Sequence, residues 1–305
     1  METADLSIVV TTRDRPGLMR VAVESALAQT CAPQEVVVVD DGSTEPVDLP
    51  GDERVRGVRH ESSRGSAAAR NTGLESARGR WVTFLDDDDR LKPHMVEVSL
   101  DALARTTLRP PVGVLSGLEI VDGGGRVLET KRPPTCPRGT AFGLESIPGF
   151  PPGPAYETKQ TLVIERHVLR GVGGWNHGLE PRETTELFLR LSLICSLIGL
   201  PVVTYEQLRH AGPRLTGDPA RRDASLRGLV QRHQATFDAH PEGYADHLRR
   251  HAHHMRAARR YGRALGALAL ATRLAPRTTL RTTASSARRD AVAAAERRRQ
   301  RRRLA

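Results

Sequence analysis

At 305 residues the chain holds one large domain or two modest ones. Its net charge of +10 originates at one end: from Arg249 onward 17 Arg face only Asp290 and Glu296, which leaves the first 248 residues mildly acidic, about −5. That distribution excludes nucleic-acid recognition by the body of the protein.

In chain order, Leu6-Ser7-Ile8-Val9-Val10-Thr11-Thr12 is a β-branched run of the kind covered on both faces of a sheet. After a loop at Arg13-Asp14-Arg15-Pro16-Gly17, residues 18–29 place Leu18, Val21, Ala22, Ser25 and Ala26 at helical spacing. Glu35-Val36-Val37-Val38-Val39 predicts a second strand, ended by Asp40-Asp41-Gly42-Ser43. Residues 55–59 predict a third strand, 65–77 a helix opening in small residues, Trp81-Val82-Thr83-Phe84-Leu85 a fourth strand and 93–104 a helix. This alternation predicts an open, mainly parallel α/β sheet, whose ligands bind off the carboxyl ends of strands. Three such ends carry polar clusters: Thr11-Thr12, Asp40-Asp41 and Asp86-Asp87-Asp88-Asp89. Asp40-Asp41-Gly42-Ser43 reads either as a turn with Gly at positive φ or as an acidic contact to a nucleoside. The four consecutive aspartates exceed what a helix cap requires, and like charges at a core strand end call for a hard cation.

Further on, 92–108 is helical, and 112–121, a turn at Asp122-Gly123-Gly124-Gly125 and 126–130 form a hairpin. Residues 133–154 are rich in Pro and Gly with little periodicity, a long loop where an acceptor lid would lie. A strand at 159–164 leads to a helix from 165 to 170, then Gly173-Gly174-Trp175, an apolar helix over 187–197 and a strand over 201–205. Helices over 221–240 and 244–275 flank Pro241-Glu242-Gly243; His247, His251 and His254 share one helical face, solvated or packing, and Leu265, Leu268 and Ala269 form an apolar stripe. Beyond Pro276 the chain is polar and basic and is expected to be disordered or a fraying helix.

Cys31, Cys136 and Cys195 lie far apart with no CxxC spacing, which points to a reducing compartment. The chain opens without a signal-peptide pattern. The longest apolar candidate, 187–204, is broken by Arg190, Gly199 and Pro201, so a soluble cytoplasmic protein is expected.

Leu6 to Pro16, Asp40-Asp41-Gly42-Ser43, Ala69-Arg70-Asn71-Thr72-Gly73, Leu85 to Asp89, Val172-Gly173-Gly174-Trp175 and 183–191 stand in an order and spacing that resembles the family 2 glycosyltransferases. The resemblance covers most of the first 215 residues. It implies a GT-A fold, with an open, mostly parallel twisted sheet, flanking helices and, here, a helical C-terminal appendage. The implied reaction is inverting transfer from a nucleotide diphosphate sugar with Mg²⁺ or Mn²⁺. Thr11 and Asp41 would contact the base with help from Arg13 or Arg15, and Arg70 would reach a phosphate or a ligand-side carboxylate. Asp86 would face the ribose, the sugar or the metal's water shell, Asp88 would ligate the metal, and Asp87 and Asp89 allow a shifted register. Trp175 has two readings, core packing or stacking on an acceptor sugar. His210 would approach the metal or diphosphate.

The catalytic base departs from the pattern. Aligning on Leu187-Phe188-Leu189-Arg190-Leu191 puts Thr184 where the family carries Asp. Glu183, four before the core-facing Leu187, is the expected base; Glu186, four before Arg190, is the alternative and reads otherwise as a solvated ion pair. The expected organisation is a catalytic domain over 1–218, a helical extension over 219–276 and an Arg-rich tail over 277–305. That tail would be drawn to anionic lipid, at ~1 kcal/mol per basic residue near the surface, giving peripheral contact with the inner face of the membrane and no specific nucleic-acid binding. The acceptor stays open among saccharides, lipid carriers, proteins and natural products. The competing readings are a non-catalytic nucleotide-sugar-binding protein and a nucleotidyltransferase.

Overall fold

The computed structural model describes residues 3–147, 161–209 and 218–281. Two compact units divide the chain, one running to Gln231 and one beginning at Arg232. In the first, β1 (Thr3–Thr12), β2 (Ala32–Asp40), β3 (Val55–Arg59) and β4 (Trp81–Asp86) lie parallel in the order β3-β2-β1-β4. Helices α1 (Pro16–Leu27) and α2 (Ser66–Ser76) make the crossovers. The sheet continues through β8 (Leu162–Glu165), β6 (Val112–Val121), β9 (Ser196–Leu208) and β5 (Asp89–Leu91), with β7 (Val127–Lys131) beside β6. β8 is antiparallel to both β4 and β6.

Strand alternation sorts the valines onto two faces. Ile8, Val10, Val36 and Val38 pack with Met19, Ala22 and Val23 of α1 and Met95 and Val96 of α3 (Met95–Arg105). Val9, Val37 and Val39 pack with Ala67, Ala69 and Leu74 of α2, Val168 and Leu169 of α4 (Arg166–Gly171), and Leu187, Phe188 and Leu191 of α5 (Glu183–Ile194). The small opening of α2 lets it lie close to the sheet: a Cβ at Gly73 would meet Val9 Cγ1 at 2.2 Å. The doubly covered parallel sheet expected from β-branched runs is therefore present.

Three local readings change. The apolar helix begins at Glu183 rather than 187, and the strand after it runs from Ser196 to Leu208. β9 carries Pro201 through a register irregularity between the Leu115–Gly199 and Gly117–Val203 pairs, where a missing N–H is tolerated. Residues 133–147 are packed rather than loose: Cys136 bridges to Leu197, and Phe142 stacks on Phe188 at 5.1 Å. Apolar residues isolated between Pro and Gly leave no period to detect, and 148–154 lie outside the described residues.

Helix α6 (Pro219–Arg232), expected in the extension, lies almost wholly in the first unit, where Ser225 Oγ donates to Leu179 O and Gly228 sits against Leu179. In the second unit, α7 (Gln234–Ala239), α8 (Pro241–Ala257) and α9 (Tyr261–Leu274) follow, with α8 and α9 packed on each other. Pro241 opens α8 instead of separating helices, since its missing N–H costs nothing at a first helical position. The break falls at Arg259, whose φ is +59°. His247 and His251 are buried and His254 is exposed, so the histidine face packs in part. Among the described residues no helix is long and apolar enough to cross a membrane.

Candidate active site

The chain leaves β1 for β2 and β3 on one side and returns to β4 on the other, so the strand order reverses beside β1. There Thr11 pairs with Asp86 across parallel strands, and a cleft of about 850 Å³ opens off the carboxyl ends. Thr11, Arg13, Asp41, Arg70, Asp86, Asp87, Asp88 and Glu183 all line it. Residues expected to converge from strand ends and from helix α5 thus share one cavity.

The aspartate run does not form one turn. Asp86 ends β4, and Asp89 opens β5, which pairs with β9. Asp87 and Asp89 are buried, whereas Asp86 and Asp88 are half-buried. Asp89 accepts from Tyr205 Oη at 2.8 Å and Leu208 N at 3.0 Å. Asp87 accepts from Thr12 Oγ1 at 2.8 Å and Arg15 Nη1 at 3.3 Å. Burial, reinforced by the neighbouring carboxylates against the Thr12 bond and the Arg15 charge, pushes Asp87 up to about 6. Burial and the charges of Asp86 and Asp88 likewise hold Asp89 well above the carboxylate range. The two buried aspartates anchor the segment and leave Asp86 and Asp88 as its more exposed pair. Arg70 Nη2 lies 3.3 Å from Asp86 and Arg15 Nη1 lies 3.1 Å from Asp88.

Asp41 organises the next loop. Its Oδ1 faces His60 Nδ1 at 2.7 Å and accepts from Arg64 N at 2.9 Å; its Oδ2 accepts from Ser63 Oγ at 2.7 Å and Gly65 N at 3.0 Å. Burial works to raise this carboxyl, but these donors outweigh it and hold Asp41 below its ordinary value. Four contacts use the capacity of a carboxylate, so a base N–H at Asp41 must displace one of them. Gly42, at φ +70°, makes the turn possible: a Cβ there would sit 2.6 Å from Ser62 C and Ser63 N. Asp14 ties this turn to the β1–α1 loop, its N donating to Ser43 Oγ at 2.8 Å while its Oδ1 accepts from Thr44 N at 2.7 Å. Arg13 stays exposed, 3.4 Å from Asp14.

Across the cleft, Arg70 Nη1 reaches Glu183 Oε1 at 3.3 Å and Ser66 Oγ at 3.3 Å. Glu183 Oε2 and Arg70 Nε are buried, and neither has a hydrogen-bond partner among the described residues. The next residue, Asn71, works in the opposite direction. Its side chain accepts from Trp175 N and donates to Trp175 O, both at 2.8 Å, fastening α2 to the segment that leads into α5. Glu180 caps α2, accepting from Ala67 N at 2.9 Å and Ser66 Oγ at 3.1 Å. Sequence reading missed His60, Asn71 and Glu180 as site builders. The position of His60 just past β3 was the available signal, under the same strand-end rule that exposed Asp41.

Three expected roles change or fall outside. Glu186 is fully buried and does not line the cleft. Arg190 Nε and Nη2 grip it at 2.9 and 2.6 Å, and the same guanidinium donates to the Val172 and Gly174 carbonyls. The i,i+4 pair is therefore an interior clamp rather than a solvated pair, and it withdraws Glu186 as an alternative base. Trp175 is buried and meets Phe84 edge-on at 4.4 Å, so it packs the core and presents no face to an acceptor. His210 lies outside the described residues. Thr184, at the position of the family's Asp, is half-buried in the first turn of α5 and does not line the cleft.

Residues 7–113 match the family model described as Glycosyl transferase family 2. An uncharacterized glycosyltransferase of Haemophilus influenzae is 36% identical over 192 residues, covering 61% of each protein. The succinoglycan biosynthesis protein ExoO of Rhizobium meliloti is 42% identical over 93 residues, 29% of this chain and 27% of that one. The chain thus spans less than two thirds of either relative's length. Among solved structures, S. aureus TarS 1–349 in complex with UDP-GlcNAc superposes with a TM-score of 0.63 at 17% identity, over 92% of this chain and 83% of that one. The motif-bearing segment, the sheet order and the cleft at its switch point agree with these matches: residues 7–113 are similar to the family 2 glycosyltransferases, and the chain shares the fold of TarS 1–349.

Proposed function

We propose that the cleft binds a nucleotide diphosphate sugar and that the protein transfers the sugar, with inversion, to an acceptor hydroxyl. The observation that carries this reading is the alternation of the aspartates, which buries Asp87 and Asp89 and leaves Asp86 and Asp88 half-buried at the cleft beside the Arg70–Glu183 pair. The glycosyltransferase relatives and the UDP-GlcNAc complex of TarS support this donor class. Among the described residues no group of three or more His, Cys, Asp or Glu would hold a metal unaided. Two half-buried carboxylates still fit Mg²⁺ or Mn²⁺, which commonly takes only one or two from protein and the rest from substrate phosphates. Such an ion, when bound, neutralises the departing diphosphate. Arg15 and Arg70 border the same charge and orient it. Thr11 and Asp41 border the nucleoside end, with the Ser63 hydroxyl the contact most easily rotated away.

Glu183 is the proposed base. Arg70 fixes one of its oxygens, and the other, buried at the cleft wall without a partner among the described residues, takes the proton from the acceptor oxygen. That oxygen bonds to the anomeric carbon as the bond to the diphosphate breaks on the opposite face. The Arg-rich tail lies outside the described residues, and its attraction to anionic lipid belongs to the same proposal.

The test is release of nucleoside diphosphate from a donor panel with Mn²⁺ and several acceptors. Release of pyrophosphate instead indicates a nucleotidyltransferase, and donor binding without release indicates a binding protein. Glu183→Gln is expected to lower turnover roughly a hundredfold or more while donor affinity holds. Retained turnover in that variant refutes the base assignment. Asp88→Ala is expected to remove the Mn²⁺-dependent part of donor binding measured by calorimetry.

A further inference from the structure

The second unit presents an unusual surface. Helix α9 buries its alanines, Ala264, Ala267 and Ala271, and turns larger apolar side chains outward. Tyr261 is 59%, Leu265 67% and Leu280 64% exposed, the highest values among the exposed large hydrophobic residues described in the chain. Tyr261 and Leu265 stand four residues apart, on one helix face. Around them, from His247 to Arg281, the chain has nine Arg and no Asp or Glu. Asp246, one residue before this stretch, pairs with Arg249 and Arg250; the stretch as a whole stays strongly cationic, and exposed large apolar groups in such a setting suit the interfacial zone of a bilayer, where apolar side chains enter the acyl boundary and guanidinium groups meet lipid phosphates.

We propose that the α9 face of the second unit docks on an anionic lipid surface, with Leu265 and Tyr261 inserting and the surrounding arginines holding headgroup phosphates. The contact is therefore apolar as well as electrostatic, which distinguishes it from attraction through the Arg-rich tail alone. A second copy of the chain fits poorly, because two such surfaces repel. A nucleic-acid backbone would use the arginines and leave the aliphatic groups in water.

The test is co-sedimentation of the full chain with vesicles of equimolar phosphatidylglycerol and phosphatidylcholine, and with phosphatidylcholine alone. The full chain is expected to bind the first and not the second. Leu265→Ser and Tyr261→Ser are each expected to weaken binding roughly tenfold, leaving helicity by circular dichroism unchanged. At high salt a residual, variant-sensitive fraction should persist. Equal binding by parent and double variant, abolished by salt, would assign the contact to the tail and overturn the proposal. It is also overturned if the variants convert a dimer to a monomer in the ultracentrifuge without altering vesicle binding, or if duplex DNA binds in a way the variants weaken and vesicles do not.

Discussion

At the scale of single residues, burial decides which members of a repetitive motif stay more exposed. Four identical aspartates all line the cleft but differ in burial, because Asp87 and Asp89 are tied down by Thr12 and Tyr205 while Asp86 and Asp88 stay half-buried. Asp41 offers the clearest pH prediction. Its folded value is depressed, so its contribution to stability is present above the ordinary 3.8 and is lost as pH falls through the lower folded value. Glu35, held by Arg56, Ser7 and Arg78 N against its own burial, acts in the same sense below 4.5. Asp41→Asn is therefore expected to melt lower than the parent at pH 7. The gap should narrow as pH drops below 3.8, as thermal melts across a pH series would show. A gap that widens in acid would contradict the sign.

At the scale of elements, the site is held by two fasteners that sequence spacing does not reveal. The first is Asn71, which satisfies both backbone groups of Trp175. Asn71→Ala leaves them unpaired, at about 1–3 kcal/mol each, and should lower the urea midpoint and slow turnover without touching substrate. The second is the Glu186–Arg190 clamp on the turn before α5. Glu186→Ala strands a largely buried guanidinium and is expected to cost about 3–5 kcal/mol. Replacing both members with apolar residues of similar size should recover much of that loss. Spacing predicted the 186–190 pair correctly but could not tell that a glycine turn covers it, since the covering carbonyls of Val172 and Gly174 lie outside the helix. Residues 133–147 were unreadable for a related reason: Phe142 earns its place by contact with Phe188, not by any local period.

At the scale of the whole molecule, every described residue lining the cleft lies in the first unit. Nucleoside diphosphate with Mn²⁺ is therefore expected to raise the melting transition of that unit, by about 2.7 kcal/mol of added stability at a hundred times the dissociation constant. Asp88→Ala should remove the shift in a calorimetric scan; a shift that survives would separate nucleotide binding from the acidic pair. The charge of the molecule is divided in the same way, a mildly acidic first unit followed by a basic helical unit, which makes salt a probe of the second far more than of the first.

The sequence by itself determined the parallel sheet, the strand ends that carry polar residues and the Asp86-x-Asp88 pair, because β-branched runs and strand-end chemistry are local and periodic. Only the tertiary structure decided that Asp87 and Asp89 anchor the run, that Trp175 and Glu186 belong to the interior, and that Arg70 joins Asp86 to Glu183. Those outcomes depend on which distant groups close over a side chain, and burial of that kind has no signature in the spacing of residues along one chain.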